Sequence, residues 1–100
     1  MVSLSGTLDA WSEQDVRATL KELVDGGRPR LLLDLGPLRR IDSSGLSTLL
    51  SVLKAARAAG GDVVFLRPSA AVASVFRLTR LDQIFEAYDD EGAALARLSA

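Results

Sequence analysis

Residues 38–50, LRRIDSSGLSTLL, decide how this chain folds. A strand-like apolar run ends shortly before this stretch and a helix-like apolar run begins within it. Asp42, Ser43, Ser44 and Gly45 lie at the junction. A helix start of this kind favours anions, because its unpaired N–H groups and the helix dipole both attract negative charge. Ser43 and Ser44 therefore either cap the helix or carry a function, and capping is the simpler interpretation.

Strand-like and helix-like patterns alternate along the rest of the chain. Short apolar or alternating runs predict strands at 2–5, 31–35, 62–66 and 84–86. Apolar residues at helical spacing predict helices at 11–25, 44–59 and 68–78, and three acids at 89–91 begin a final helix. Alternating elements of this kind join parallel strands through right-handed crossovers. We therefore predict an α/β fold, with a mainly parallel sheet of about four strands flanked by about four helices.

Glycines and polar residues mark the expected helix ends. The Gly-Gly pairs at 26–27 and 60–61 are predicted to stop the first two helices. Asp9 or Ser12 is predicted to cap the first helix, and Ser12 with Asp15 three residues later resembles a capping box.

Aromatic residues are few. Phe65, Phe76 and Phe85 are assigned to the core, and Leu78 to the apolar side of the third helix. Trp11, the only tryptophan, either packs over the start of the first helix or anchors a partner protein. Packing is the preferred interpretation of Trp11.

Composition limits the class of protein. The chain has 100 residues, 48% of them hydrophobic and 25% charged, with a net charge of -1. These values predict one domain over 1–100 and no strong attraction to nucleic acid or to a membrane surface. The sequence contains no cysteine and no histidine, so thiolate chemistry and a Ser-His-Asp triad are excluded. No targeting signal is visible, which predicts a cytoplasmic protein.

Enzyme chemistry finds little support in the motifs. Neither Gly-Gly pair continues into a phosphate-binding loop of the form Gly-x-x-x-x-Gly-Lys-Ser. Asp34 and Asp42 could pair for acid–base catalysis or Mg²⁺ binding, but neither has a second acidic neighbour in the sequence. Ser44 has no base beside it and no Gly-x-Ser-x-Gly context. We therefore predict a non-enzymatic protein without a cofactor or a metal.

The junction motif resembles a known family. Asp42-Ser43-Ser44-Gly45-Leu46 between a strand and a helix, together with Gly6-Thr7-Leu8-Asp9, is similar to the STAS domain of bacterial anti-sigma factor antagonists. The resemblance covers nearly the whole chain. It implies that Ser44 is phosphorylated by an anti-sigma factor that is also a serine kinase, and that ATP and Mg²⁺ belong to that partner. The unphosphorylated form would bind the kinase and free the sigma factor, which regulates transcription.

The resemblance also implies a contact surface for the kinase. Its expected members are Asp9, Asp42, Ser43, Ser44, Gly45 and Leu46. Gly45 leaves room for a kinase to approach the Ser44 hydroxyl, because glycine has no Cβ. An alternative implied by the same resemblance is a subunit of a lipid-transporting ABC complex or of a stress-signalling scaffold. Ser44 would then be a cap and a docking residue.

The start of the chain departs from the family pattern. Family members usually have another strand before the Gly-x-Leu-Asp turn, and this strand is expected to be missing here. An uncovered sheet edge would then be able to pair with another chain. We therefore expect weak self-association through the strand at 2–5.

Overall fold

The computed structural model describes residues 2–99, and strands and helices alternate along them. The strands are β1 (Val2–Ser3), β2 (Gly6–Leu8), β3 (Arg30–Asp34), β4 (Leu38–Ile41), β5 (Asp62–Leu66) and β6 (Ala87–Tyr88). The α-helices are α1 (Glu13–Asp25), α2 (Ser43–Ala58), α3 (Ala70–Leu78) and α4 (Glu91–Ser99), and a single 3-10 turn spans Leu81–Gln83. The predicted α/β class and the four helices are confirmed for residues 2–99.

Four strands form a parallel sheet in the order β1-β3-β5-β6. β3 and β5 are its centre, with Leu31 opposite Val63 and Leu33 opposite Phe65. Both strands are continuous apolar runs, as is typical of strands covered on two faces. The expected missing first strand stays a prediction, and so does self-association through β1, which lies at one edge of this sheet.

A second sheet was not predicted. β2 and β4 pair in parallel as a two-stranded sheet, with an irregular register between Gly6 and Thr7. Residues 6–8 are therefore a strand, where the sequence indicated a turn. β4 escaped prediction because its buried residues, Leu38 and Ile41, are separated by two exposed arginines and do not alternate.

The last strand of the main sheet lies at Ala87–Tyr88, so the prediction of a strand at 84–86 is wrong by up to three residues. The reason is the side chain of Phe85, which is buried against Phe65 and Phe76 with ring centroids 4.9 and 5.1 Å away. The chain turns at this point, and the Phe85 N–H donates to the Leu81 carbonyl. The assignment of all three phenylalanines to the core is confirmed.

The core lies on both faces of the main sheet. Helices α1 and α2 cover one face, where Leu20, Leu49 and Leu53 are fully or almost fully buried. Helix α4 covers the other face, where Ala94 packs with Leu32, Val64 and Leu66. The predicted helix stops are confirmed at Gly27 and Gly60, whose positive φ angles of 89° and 86° suit glycine. Leu78 is 82% exposed, so its predicted place on a buried face is wrong.

Candidate functional site

The site begins where β4 leads into α2, and Asp42 connects the two elements. Its backbone is extended, and its N–H donates to the Leu8 carbonyl at 3.1 Å. Its side-chain Oδ1 accepts the N–H of Gly45 at 3.0 Å, and its carbonyl accepts the N–H of Leu46. Asp42 is therefore the N-cap of α2, and its carboxylate satisfies one of the unpaired N–H groups of the first turn.

The alternative that Ser43 or Ser44 caps the helix is wrong. They are the first two residues of α2, which begins at Ser43, and so they lie after the capping position. Ser43 is exposed and Ser44 is half-buried. Within residues 2–99 neither hydroxyl forms a hydrogen bond, so the structure leaves both free for other chemistry.

Gly45 allows the start of α2 to pack closely against the ends of the two paired strands of the small sheet. A Cβ at this position would lie 2.6 Å from the Leu8 carbonyl oxygen and 2.7 Å from Ile41 Cγ1. A Cβ at this position would point into the protein, so the absence of a side chain at Gly45 does not make room for a kinase, and that interpretation is wrong. Leu46 is buried as well. The contact of Gly45 and Leu46 with a partner stays a prediction. In this structure both residues pack inward and fix the position of the helix backbone next to Ser44.

Two polar side chains of α1 lie beside the serines. Glu13, Arg17, Ser43, Ser44 and Ser47 line one open hollow with a volume of about 310 Å³. Glu13 and Arg17 are held in place by the fully buried Thr48, whose hydroxyl donates to Glu13 Oε2 at 2.7 Å and accepts from Arg17 Nη2 at 3.3 Å. Arg17 Nη2 is also 3.2 Å from Glu13 Oε2. Sequence reasoning missed this group, because residues 31 and 35 positions apart form it.

Asp9 organises the turn that leads into α1. Its Oδ1 accepts the N–H groups of Trp11 and Ser12 at 2.9 and 3.2 Å. The Ser12 hydroxyl donates to the Thr7 carbonyl and forms no cap bond with α1, so the predicted capping box of Ser12 and Asp15 is wrong. Asp9 instead holds a loop that α1 follows.

Trp11 projects from this loop into solvent. It is 94% exposed, so the prediction that it packs over the helix start is wrong, and the alternative of a partner anchor stays open. Asp9 and Asp42 line a shared surface groove of about 310 Å³. Ser43 follows Asp42 in the chain and lines the separate hollow beside α1, and the contact of Asp9, Asp42 and Ser43 with a partner stays a prediction.

The pairing of Asp34 with Asp42 has no structural basis. Asp34 accepts the N–H of Gly36 at 3.0 Å and lies 3.7 Å from the guanidinium of Arg67. Within the described chain, no cluster of three or more Asp, Glu, His or Cys residues is placed to hold a metal ion. No helix over the same residues has the length and apolarity needed to cross a membrane.

Comparison with known proteins identifies the family. A family model described as "Mlab, STAS domain" matches residues 1–86. The chain is 33% identical over 93 residues to the candidate anti-sigma factor antagonist BtrV of Bordetella bronchiseptica, covering 93% of this chain and 80% of BtrV. This chain therefore belongs to the STAS domain family of anti-sigma factor antagonists.

Solved structures agree with this assignment. The candidate anti-sigma factor antagonist TM1081 of Thermotoga maritima superposes with a TM-score of 0.89 at 25% identity, over 99% of this chain and 88% of TM1081. The anti-sigma factor antagonist SpoIIAA in its unphosphorylated form gives a TM-score of 0.81 at 26% identity, over 98% of this chain and 86% of SpoIIAA. The phosphorylated form of SpoIIAA, a Bacillus cell fate determinant, gives 0.70 at the same identity, over 96% and 87% of the two chains.

Proposed function

We propose that this chain is an anti-sigma factor antagonist that binds an anti-sigma factor serine kinase and is switched off by phosphorylation of Ser44. Binding of the unphosphorylated form to the kinase releases the sigma factor. The observation that carries the proposal is the division of roles at the start of α2. Asp42 caps the helix, which leaves the hydroxyls of Ser43 and Ser44 without a partner in the described chain, and Ser44 is the one directly before Gly45.

The chemical step requires nothing from this chain except the hydroxyl. Ser44 Oγ forms a bond to the γ-phosphorus of ATP held by the kinase, and the bond from that phosphorus to the bridging oxygen of ADP breaks. The hydroxyl proton passes to a base of the kinase, and ADP leaves. Catalysis therefore belongs to the partner, which also holds Mg²⁺.

The fold tolerates the added phosphate. A phosphoserine adds about -1.5 to -2 charges, and at the second position of a helix this charge meets unpaired N–H groups and the positive end of the dipole. The capping bond from Gly45 to Asp42 does not involve Ser44, so phosphorylation leaves it in place. The switch therefore acts without unfolding the domain.

The phosphate acts on the interface. Asp9 and Asp42 share the groove next to Ser44 with Arg39 and Arg40, so acidic and basic side chains balance before modification and the phosphate adds an excess of negative charge. Like charges brought together across an interface cost several kcal/mol, and each ~1.4 kcal/mol is a tenfold loss of affinity. Exposed Trp11 supplies an aromatic anchor on the same side of the molecule, a residue type enriched in binding hot spots.

The relatives support this proposal. BtrV and TM1081 are named as candidate anti-sigma factor antagonists, and SpoIIAA is known in unphosphorylated and phosphorylated forms. A protein with this fold therefore exists both with and without a phosphate. Both Ser43 and Ser44 have free hydroxyls in the described chain, and the resemblance of Asp42-Ser43-Ser44-Gly45 to the family motif favours Ser44, the serine directly before the glycine.

The phosphorylation site is tested with the cognate kinase. The protein is incubated with the kinase and ATP, and the phosphate is mapped by mass spectrometry. We expect one phosphate on the wild type, one on Ser43→Ala, and none on Ser44→Ala. A phosphate at another residue, or a modified Ser44→Ala variant, contradicts the site.

The effect on binding is tested with Ser44→Asp. We expect its affinity for the kinase to fall at least about tenfold, because the new carboxylate places an uncompensated negative charge in an interface that fits the neutral serine. The melting temperature should stay within a few degrees of the wild type. Ser99→Asp, at an exposed position of α4, is the matched control and should bind normally. Co-purification with a membrane transporter and no soluble kinase would instead support the ABC-complex alternative.

A further inference from the structure

We propose that Arg17 of α1 binds the phosphate on Ser44, and that Glu13 is the ion-pair partner from which Arg17 is drawn away. This inference rests on the proposed function, because the ligand is the phosphate that the kinase adds. It assigns a role in the switch to a helix outside the recognised motif.

The geometry places Arg17 within reach of that phosphate. Arg17 and Ser44 line the same open hollow. Ser44 and Thr48 are four residues apart on α2, so they share one face with roughly 5–6 Å between their Cβ atoms. Arg17 Nη2 already lies 3.3 Å from the Thr48 hydroxyl. A phosphate extending from Ser44 therefore enters the space in front of the guanidinium.

Arg17 has donors to offer. Its only charged partner in the described chain is Glu13, at 3.2 Å, and the two form an ion pair between residues four apart on one helix. Such pairs are weak at a surface, and 38% of the Arg17 side chain is exposed. Its Nε is buried and has no hydrogen-bond partner. A guanidinium has five N–H donors, and a phosphate provides three strong acceptor oxygens in a matching geometry.

Glu13 is the ion-pair partner that Arg17 leaves when it binds the phosphate. Its carboxylate faces the same hollow and would repel the phosphate while drawing Arg17 back. Glu13 keeps the hydrogen bond from Thr48 at 2.7 Å when Arg17 turns to the phosphate. The unphosphorylated surface therefore presents a neutral Glu13–Arg17 pair to the kinase. The phosphorylated surface presents an Arg17–phosphate pair beside the free Glu13 carboxylate, so the arrangement of charge changes together with its sum.

The test uses the full chain with phosphoserine placed at position 44 by genetic incorporation. The second pKa of the phosphate is measured by ³¹P NMR titration. A nearby arginine stabilises the dianion and lowers this pKa. We expect Arg17→Gln to raise the phosphate pKa by about 0.5 or more, the low end for an arginine contact once solvent screening is included. Glu13→Gln should lower it, because a negative charge is removed and Arg17 is released.

The control is Arg57→Gln, which removes an arginine near the far end of α2 and should leave the phosphate pKa unchanged. Equal phosphate pKa values for Arg17→Gln and Arg57→Gln would overturn the inference. A rise or no change in Glu13→Gln would overturn it too, and this variant keeps Arg17 if Arg17→Gln folds poorly. Because phosphoserine is installed directly, the result does not depend on whether a kinase modifies Ser44. The two proposals therefore fail separately.

Discussion

Asp42 combines two roles at the scale of a single residue, since it caps α2 and contributes charge beside Ser44. We expect Asp42→Ala to lower the free energy of unfolding by about 1 kcal/mol, because the N–H of Gly45 loses its acceptor. Asp42→Asn keeps a side-chain oxygen and should retain most of the stability. Urea unfolding followed by far-UV circular dichroism measures both. Equal stability of Asp42→Ala and the wild type would contradict the capping role.

The sequence located this site but not the roles of its residues. The sequence indicated Ser43 and Ser44 as the capping residues, although Asp is as strongly preferred at a cap as Ser. A helix that begins at Ser43, one residue earlier than predicted, decides in favour of Asp42. At α1 the difference is two residues, since the helix begins at Glu13. That shift leaves Trp11 in a turn held by Asp9, and no local pattern indicates its exposure.

At the scale of elements, α2 depends on a close approach to the small sheet at Gly45. We expect Gly45→Ala to destabilise the fold by about 1–3 kcal/mol, because its Cβ would lie 2.6 Å from the backbone oxygen of Leu8. Ser47→Ala, at an exposed position of the same helix, is the control and should change stability by less than about 0.5 kcal/mol. Thermal unfolding of both variants checks the prediction. A Gly45→Ala protein as stable as Ser47→Ala would show that α2 shifts easily away from Leu8 and Ile41.

Apolar runs predicted the two central strands of the main sheet well, because β3 and β5 are buried on both faces. The same reasoning failed for β2 and β4, whose three and four residues are too short to show a period. The Glu13–Arg17–Thr48 group was also invisible, because only the packing of α1 against α2 brings it together. Local patterns therefore found the elements, and tertiary contacts completed the site.

At the scale of the whole molecule, Asp62 joins helices from both faces of the main sheet. Its carboxylate lies 3.2 Å from Arg57 of α2 and 3.0 Å from Arg97 of α4. Burial alone would raise the pKa of Asp62, but hydrogen bonds from the Val63 N–H and from both arginines hold it below the ordinary value of 3.8. The ionised form is therefore stabilised in the folded state. This contribution is present above pH 3.8 and is lost as the pH falls through the lower, folded-state pKa.

The corresponding variant is Asp62→Asn. We expect it to lower the free energy of unfolding at pH 7 by roughly 1 kcal/mol, as for a partly exposed ion-pair group. The difference from the wild type should shrink as the pH falls below about 3.8. Asp82→Asn, an exposed acid in the 3-10 turn, is the control and should follow the wild-type pH profile. A constant Asp62→Asn deficit from pH 7 to pH 2 would argue against the ionic contribution.

The exposed position of Trp11 also means that its fluorescence can report on partner binding. The chain has one tryptophan, and that residue is 94% exposed. We therefore expect the tryptophan emission to change little when the protein unfolds. A partner that covers the loop held by Asp9 would move the ring into a drier environment and shift that emission to shorter wavelength. The intrinsic fluorescence of the unlabelled chain thus separates docking from unfolding.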